Sequence, residues 1–417
     1  MKTIRIGIFG VRRGSDFFKS ILYNGGEIVA ICEKNQERVE GALKQLGDRV
    51  AVYDDFDKFI EHPMDAVLLA NYFHEHAEYA IKCLEKNIHV LSECTSNATM
   101  AEGVALVRAA EKSKAYYMLA ENYPFMLFNR EMKRVYDGGT LGKVLYAEGE
   151  YNHAGNVYSP VGVKDTFDSL KHWRMFLPRP YYLTHSLGPL MYTTSSNPIR
   201  ITAMPIQFDP PTDSCRAGYV NEKAAIITCL NDDRSVFKIT GHASLGASDN
   251  SYRICGDRGQ IENVRGSHGW VMLRYNDWQI PEGKKAINYY PPNIPDKDEE
   301  LIQKSGHGGA DFFVIRNFFE SIRTETPPKM DVYFATKLAS VAILAHRSLL
   351  ERGVPYDVPD FRLEEDRVKY ENDTASPFWY SDGREPTVRC CLDENYAPSE
   401  QQKENLLKAL TQESNPN

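Results

Sequence analysis

The chain has 417 residues, of which 42% are apolar and 25% are charged, and its net charge is −8. This length predicts two domains, and this composition is typical of a globular protein. The acidic balance and the lack of a basic tract argue against nucleic acid as the main partner, and every apolar run is too short to span a membrane.

Residues 1–122 alternate short apolar runs with helical patterns. Continuous apolar runs are typical of buried parallel strands, and their alternation with helices predicts a parallel sheet covered on both faces. We therefore predict an α/β domain of the Rossmann type over residues 1–122. Strands are predicted at residues 3–9, 28–32, 66–70, 88–91 and 116–120, with helices at about 36–46, 75–87 and 100–113.

From residue 123 the strands become longer and alternate apolar with polar residues. This alternation predicts an α+β domain over residues 123–360, with a large, mostly antiparallel open sheet that is packed on one face. Residues 361–417 are rich in charge and proline and predict a tail on the surface, with a terminal helix at about 399–411. Strands are predicted at residues 144–151, 199–207, 224–230, 235–242, 251–255, 259–263 and 270–275, and helices at 128–137, after the segment THSLGP, and at 311–323 and 333–352.

The turn after the first strand has the features of a dinucleotide site. Gly10 occupies the first glycine position of the fingerprint, whereas Arg12 stands at the second and Ser15 or Gly14 at the third. The motif is degraded, but it ends a strand and opens a helix at the start of the chain, as a phosphate-binding turn does. Arg12 or Arg13 would contact phosphate by charge where the second glycine is missing. A plain β–α turn is the alternative interpretation.

Side chains at the ends of the next strands extend this prediction. Glu33 ends the second strand, where a carboxylate accepts both ribose hydroxyls and repels a 2′-phosphate. This favours NAD over NADP, although the neighbouring Lys34 leaves NADP open. Asn71 and His76 follow the strand predicted at residues 66–70, and ligands bind at the carboxyl ends of such strands. We expect both side chains to face the cofactor.

The order of these features resembles the Gfo/Idh/MocA oxidoreductases over about residues 1–360, with Glu93 as the family's glutamate after the strand that is predicted here at residues 88–91. The resemblance implies bound NAD and hydride transfer from a carbinol carbon. In that family the loop usually reads Glu-Lys-Pro, and its lysine serves the reacting hydroxyl, whereas here the loop reads Glu93-Cys94-Thr95. The resemblance therefore implies the family's fold and cofactor for this chain, but not its catalytic lysine. Glu93 is expected to hold the loop against the nicotinamide end of the cofactor, and Cys94 to be an unreactive thiol.

Several local motifs are similar to the NAD-dependent glycosidases of this superfamily, including α-N-acetylgalactosaminidases, which also lack the lysine. By resemblance, residues at the places of Glu121, Tyr151, Tyr182 and His185 line a sugar site, with the histidine as the leading base, and Asn122 belongs to the cofactor site. The preference for N-acetylhexosamine does not transfer. The motifs are Glu121-Asn122-Tyr123, Glu150 to His153, His172-Trp173-Arg174, Tyr182 to Pro189, and His307 to Asp311.

The same residues have chemistry suited to a sugar. An imidazole with a pKa near about 6.5 is a competent base at neutral pH, which favours His185. Tyr182 would share its helical face and polarise the same oxygen if the segment is helical. Tyr151 and His153 point to one face of a strand and would form the pocket wall. Trp173 and Arg174 would supply stacking and a charge-assisted hydrogen bond. Each assignment has a structural alternative: a buried, hydrogen-bonded histidine for His185, core packing for Tyr182, and a partly exposed sheet face for Tyr151 and His153. For Trp173 and Arg174 the alternative is packing with a surface ion pair.

Three functions remain open. The first is net oxidation of a sugar or glycoside hydroxyl at C3, with release of NADH. The second is redox-neutral glycoside hydrolysis, in which C3 is oxidised transiently, the aglycone is eliminated, water adds, and the hydride returns. Tyr151 would then act on the C2 proton. The third is a non-catalytic NAD-binding regulatory protein. We place net oxidation first because it requires fewer parts.

The cysteines and histidines of the sequence bear on two questions, namely the cellular compartment of the protein and whether it binds a metal. Eight scattered cysteines without a CxxC pair predict free thiols in the cytoplasm. Eleven histidines without a ligand cluster predict no metal site. By resemblance, the open sheet predicts a homo-oligomer.

Overall fold

A computed structural model describes residues 2–267 and 269–411. Six strands form the first sheet: β1 (Ile4–Phe9), β2 (Gly26–Cys32), β3 (Ala51–Tyr53), β4 (Ala66–Leu69), β5 (His89–Ser92) and β6 (Tyr117–Leu119). All are parallel, in the order β3-β2-β1-β4-β5-β6. The strand order reverses between β1 and β4, which is where such sheets bind ligands. The sequence analysis did not predict β3, an edge strand of only three residues.

Nine further strands form the second sheet: β7 (Val144–Asn152), β8 (Pro198–Gln207), β9 (Glu222–Asn231), β10 (Val236–Thr240), β11 (Asp249–Gly256), β12 (Gln260–Asn263), β13 (Val271–Arg274), β14 (Ile287–Tyr290) and β15 (Tyr356–Asp357). Their order is β14-β13-β12-β11-β7-β10-β9-β8-β15. Neighbours are antiparallel except β7 and β10. The predicted fold class, a Rossmann-type sheet followed by a mostly antiparallel open sheet, is confirmed.

Fourteen α-helices lie within the described residues. They are α1 (Val11–Gly14), α2 (Phe18–Tyr23), α3 (Gln36–Leu46), α4 (Phe56–Phe59), α5 (His76–Glu85), α6 (Met100–Lys112), α7 (Leu127–Asp137), α8 (Val163–Thr166), α9 (Thr184–Thr194), α10 (Glu299–Gln303), α11 (Ala310–Thr324), α12 (Val332–Leu350), α13 (Glu364–Tyr370) and α14 (Glu400–Thr411). None of them has the length and apolar character that crossing a membrane requires.

Three helices cover one face of the second sheet. α7, α9 and α12 pack on it, and α12 also contacts α6 and β6 of the first sheet. Most of α12 is buried because it is apolar on nearly all sides. The helix α12, which comes late in the chain, therefore contacts both sheets.

The tail is anchored by buried side chains. Phe378 is fully buried, with ring centroids 6.3 Å from Phe73 and 5.3 Å from Tyr181. The helix predicted near the end is α14, which covers Glu400–Thr411. Residues 412–417 of the predicted tail lie outside the described residues. The domain boundaries at residues 122 and 360 stay predictions.

Candidate active site

A cleft of about 480 Å³ opens at the carboxyl ends of β1, β2, β4 and β5. One wall comes from the residues that follow these strands. The other comes from the second sheet's domain, where residues 165–168, 172–174 and Tyr182 line the cleft. The predicted cofactor residues and part of the predicted substrate residues therefore face one continuous space.

Gly10 permits the close approach on which a nucleotide site depends. Its φ is +88°, and a Cβ atom there would lie 2.4 Å from the carbonyl oxygen of Ala70. Only glycine fits this contact and this backbone conformation. The following amide, of Val11, donates to Glu33 Oε2 at 3.1 Å. The turn and the end of β2 are therefore linked directly.

Glu33 is held at the edge of the cleft by backbone amides. Its Oε1 atom accepts hydrogen bonds from the N–H groups of Lys34 and Asn35, both at 3.0 Å. The carboxylate is therefore fixed at the end of β2, where the sequence placed a ribose contact.

The two arginines of the turn differ in their partners. Arg13 is surrounded by carboxylates: it donates to Glu93 at 2.7 Å, to Asp16 at 3.0 Å, and to Asp311 at 3.2 Å. Its charge is neutralised within the protein, so the geometry does not support the predicted phosphate contact of Arg13.

Arg12 has no ion pair among the residues that the structure describes. Burial lowers its pKa, and the nearby guanidinium groups of Arg174 and Arg38 lower it further. A group of mutually repelling cations at the cleft suits a pyrophosphate, which would neutralise them.

Buried polar atoms without partners mark the same edge of the sheet. Within residues 2–267 and 269–411, both amide atoms of Asn71, Nε2 of His76 and Oδ1 of Asn122 accept or donate no hydrogen bond. His76 Nδ1 lies 2.7 Å from the Thr95 carbonyl oxygen, which fixes the ring. Such atoms are rare because each costs free energy unless a ligand or water satisfies it. Together with Gly10, these atoms fit NAD.

His185 and Glu121 form a buried pair. His185 Nδ1 lies 2.9 Å from both carboxylate oxygens of Glu121. Burial alone would raise the pKa of Glu121, but His185, the Tyr123 amide and Cys94 together lower it. The ionised carboxylate accepts the Nδ1 proton, so His185 Nε2 carries the lone pair. This is the tautomer a general base needs.

The predicted substrate contact of Glu121 is not what the structure shows. Its carboxylate is fully buried behind His185. It also accepts hydrogen bonds from the Tyr123 amide at 3.0 Å and from the Cys94 thiol at 3.3 Å. Glu121 therefore orients the histidine. Cys94 is buried as predicted, and burial and the two nearby glutamates raise the pKa of its thiol well above the usual value.

The backbone near His185 departs from the sequence prediction. The helix α9 begins at Thr184 and runs through Pro189, which was expected to start a new element. Because proline has no N–H, the carbonyl of His185 lacks its helical partner. The Tyr252 hydroxyl donates to that carbonyl instead. This bond explains why the helix continues through the proline.

Three tyrosine rings surround the imidazole of His185. The ring centroids of Tyr123, Tyr151 and Tyr182 lie 4.1, 4.8 and 5.1 Å from that of His185. Tyr182 ends a 3-10 turn before α9, so it does not share a helical face with His185 as predicted, yet the two are adjacent. Gly149 lets β7 approach α9, since a Cβ there would lie 2.0 Å from the Ser186 carbonyl oxygen.

The remaining residues that were predicted to contact a sugar are His153, Trp173 and Arg174. His153 is exposed and stacks on Tyr151 with centroids 5.8 Å apart. Trp173 is buried and stacks on Phe73 at 4.9 Å, so its face is not free for a sugar. The guanidinium of Arg174 lies 4.3 Å from the Trp173 ring and lines the cleft half-buried. Trp173 therefore supports Arg174.

Sequence reasoning assigned no role to Tyr123, Asp311 or Tyr252. Asp311 is fully buried and binds Arg13, His307 and Asn122; these ionised and hydrogen-bonded partners outweigh burial and lower its pKa strongly. Tyr123 and Asp311 stood inside quoted motifs, which was a usable signal. Nothing in the sequence marked Tyr252.

Comparisons with known proteins agree with this architecture. Residues 4–121 match the model of the oxidoreductase family with an NAD-binding Rossmann fold, and residues 241–366 match the glycosyl hydrolase 109 C-terminal domain. A glycosyl hydrolase family 109 protein of Streptomyces niveus is 25% identical over 398 residues, covering 86% of this chain and 77% of that protein. One from Bacteroides fragilis is 24% identical over 404 residues, covering 87% and 86%.

Solved structures share the fold. A levoglucosan dehydrogenase in complex with NADH and levoglucosan superposes with a TM-score of 0.71 at 16% identity, covering 86% of this chain and all of that one. An NAD-binding oxidoreductase from Klebsiella pneumoniae gives a TM-score of 0.71 at 13% identity, covering 86% and 99%.

Proposed function

We propose that this protein, which belongs to the Gfo/Idh/MocA oxidoreductases and to their branch with a glycosyl hydrolase 109 C-terminal domain, hydrolyses glycosides by a redox-neutral route. The observation that carries the proposal is the Glu121–His185 pair, whose imidazole is surrounded by three tyrosines, one of which, Tyr182, lines the NAD cleft. Similarity to glycosyl hydrolase family 109 proteins over most of the chain supports hydrolysis over net oxidation, the order opposite to the sequence-based preference.

NAD would bind at the carboxyl edge of the first sheet. When bound, NAD supplies the hydride acceptor for a carbinol carbon and the donor that restores it. The residues proposed to hold it are Gly10, Arg12, Glu33, Asn71, His76 and Asn122. Glu93 has a structural role instead. Its carboxylate accepts hydrogen bonds from Arg13 and from the Cys94 amide, and these bonds fix the loop after β5.

His185 is proposed as the base for the sugar hydroxyl. Its Nε2 atom takes the C3 hydroxyl proton as C3 is oxidised, and the buried charge of Glu121 stabilises the resulting imidazolium. Tyr182 and Arg174, which line the cleft next to it, are proposed to bind the oxygens of the sugar. His153 lies further out and is proposed to contact the sugar from the open side.

Tyr151 is proposed to act at C2. The C3 carbonyl acidifies the C2 proton, which passes to the oxygen of ionised Tyr151, and the electron pair of the C2–H bond forms a C1=C2 double bond. The C1–O bond breaks, and the aglycone oxygen keeps its electron pair and takes up the proton that left C2. Water then adds its oxygen to C1 and a proton to C2. C3 finally regains the hydride that it lost, and its oxygen regains the proton held by His185. One water is consumed per glycoside, with no net oxidation.

Turnover in heavy water tests this route. We expect deuterium at C2 of the released sugar and no steady-state rise in NADH absorbance. Tyr151→Phe is the control, and it should suppress deuterium incorporation because it has no oxygen to take the proton. Accumulation of NADH in proportion to product would contradict the hydrolytic route.

Net oxidation of a sugar is the second candidate. It uses the same NAD cleft and the same His185 base, and it does not need Tyr151. The fold it shares with a levoglucosan dehydrogenase is compatible with it. The heavy-water experiment separates the two, since only net oxidation yields one NADH for each product.

We also propose that the protein forms a homo-oligomer through the open face of its second sheet. On this face one row of residues crosses the strands in register, and Met204 and Leu230 are exposed beside it. The row consists of Tyr289, Met272, Glu262, Arg253, Glu148, Lys238, Thr228 and Thr202.

Light scattering should give a multiple of the 47.4 kDa chain mass. The double variant Met204→Arg, Leu230→Arg should give the mass of one chain, and an unchanged mass would exclude this face.

All eight cysteines are free thiols, which supports the proposed cytoplasmic location.

A further inference from the structure

Tyr123 contacts Glu121, His185 and Tyr151, the three residues of the proposed proton-transfer site. It has no part in the function proposed above. Its amide donates to Glu121 Oε1 at 3.0 Å. Its ring stacks on His185 with centroids 4.1 Å apart and an interplanar angle of 23°. It meets Tyr151 edge to face, at 5.5 Å and 83°. One residue therefore connects the carboxylate, the imidazole and the phenol.

The position of Tyr123 is set by its backbone. It opens a 3-10 turn, Tyr123–Phe125, that begins four residues after the end of β6 and contains Pro124. The Asn129 side chain on α7 donates to the Tyr123 carbonyl at 2.8 Å. The ring itself is buried. Both backbone polar groups of Tyr123 are hydrogen-bonded and its ring is buried, so the side chain has little freedom to rotate.

The ring and the hydroxyl of Tyr123 have separate consequences. The stacked ring limits rotation of the His185 imidazole, which must keep Nδ1 toward Glu121. The hydroxyl concerns Tyr151. Burial raises the pKa of Tyr151 to about 12, and the Arg174 charge and the neighbouring Tyr123 side chain, whose ring meets that of Tyr151 edge to face, oppose that rise. A phenol that must lose its proton benefits from a donor that stabilises its anion.

We propose that Tyr123 is a positioning residue that couples the two proton-transfer groups: its ring holds the imidazole of His185, and its hydroxyl stabilises the ionised oxygen of Tyr151. The inference rests on the proposed redox-neutral function, in which both groups act in one cycle. The hydroxyl then serves the C2 step alone, whereas the ring serves the C3 step.

Two rates separate these roles. One is the reduction of NAD in a single turnover, which reports proton removal at C3, and the other is exchange of the C2 proton with heavy water. Tyr123→Phe keeps the ring, so we expect unchanged NAD reduction and a C2 exchange rate about tenfold lower, the effect of losing one hydrogen bond to a charged group. The pH at which C2 exchange becomes fastest should also rise.

Tyr123→Leu removes the ring and should slow both rates. Tyr117→Phe is the matched control, because it deletes an equally buried tyrosine hydroxyl on β6 and should change neither. NAD reduction by each variant shows that it is folded. Equal loss of both rates in Tyr123→Phe, or no loss in either, would overturn the assignment. Absence of C2 deuterium in the unmodified protein would instead reject the redox-neutral function itself.

Discussion

Replacement of His185 by alanine should lower kcat by roughly 10²- to 10⁴-fold, the range that a general base contributes. The reason is that Nε2 is the basic atom placed among Tyr123, Tyr151 and Tyr182, and Nδ1 is already engaged by Glu121. Steady-state turnover of a glycoside, with NAD affinity measured by titration, checks the result. The affinity should stay the same because His185 is not among the residues proposed to hold the cofactor.

His89→Ala is a suitable control for this experiment. His89 begins β5, at the amino end of the sheet, whereas the cleft lies at the carboxyl end. Its ring accepts a hydrogen bond from the Tyr116 amide and does not line the cleft. Turnover should therefore persist in this variant. Full activity in His185→Ala would remove His185 as the base.

Replacement of Glu121 by glutamine should have an effect of similar size, roughly 10²- to 10⁴-fold on kcat, because it reverses the histidine tautomer. A glutamine amide can donate to Nδ1, which would leave the proton on Nε2 and remove the lone pair. Shape and volume change little, so the loss reports charge and proton position. Measurement of kcat across pH, beside thermal unfolding, separates this effect from a loss of folding stability.

The same carboxylate predicts a pH dependence. The pKa of Glu121 lies below its ordinary value of 4.5, because His185 and the donors around it outweigh the effect of burial. Its contribution to stability is therefore fully present above pH 4.5 and is lost as the pH falls through the lowered pKa. Glu121→Gln should remove this acid-side loss.

Glu131→Gln is the matched control for Glu121→Gln. Glu131 is equally buried on α7, but it pairs with Arg134 and Tyr290 away from the cleft. Its replacement should lower stability and leave kcat nearly unchanged. Comparable losses of kcat in both variants would argue against a special role for Glu121.

Part of the site was predictable because it follows from local sequence. Parallel strands require apolar runs, and ligands bind where those strands end, so the positions of Gly10, Glu33 and Asn71 at the cleft could be inferred without coordinates. The missing lysine in Glu93-Cys94-Thr95 also directed attention to His185, which the structure places against a carboxylate.

Other features could not be read from the sequence because they depend on partners distant in sequence. Arg13 looked equivalent to Arg12, but Asp311, almost three hundred residues later, pairs with it. Glu121 looked like a substrate residue, but it is covered by His185 from α9. Pro189 looked like a helix boundary, but the Tyr252 hydroxyl satisfies the carbonyl that the proline leaves open. No local pattern contains this information.

Local properties, namely periodicity and the positions of strand ends, were enough to predict the fold class, the cofactor edge of the sheet and the residue types available for proton transfer. Which charges are neutralised and which atoms remain free depends instead on contacts between distant parts of the chain. Hydrogen bonds and burial join residues such as Arg13 with Asp311 and His185 with Glu121, and those contacts determine where a charge or a lone pair is available.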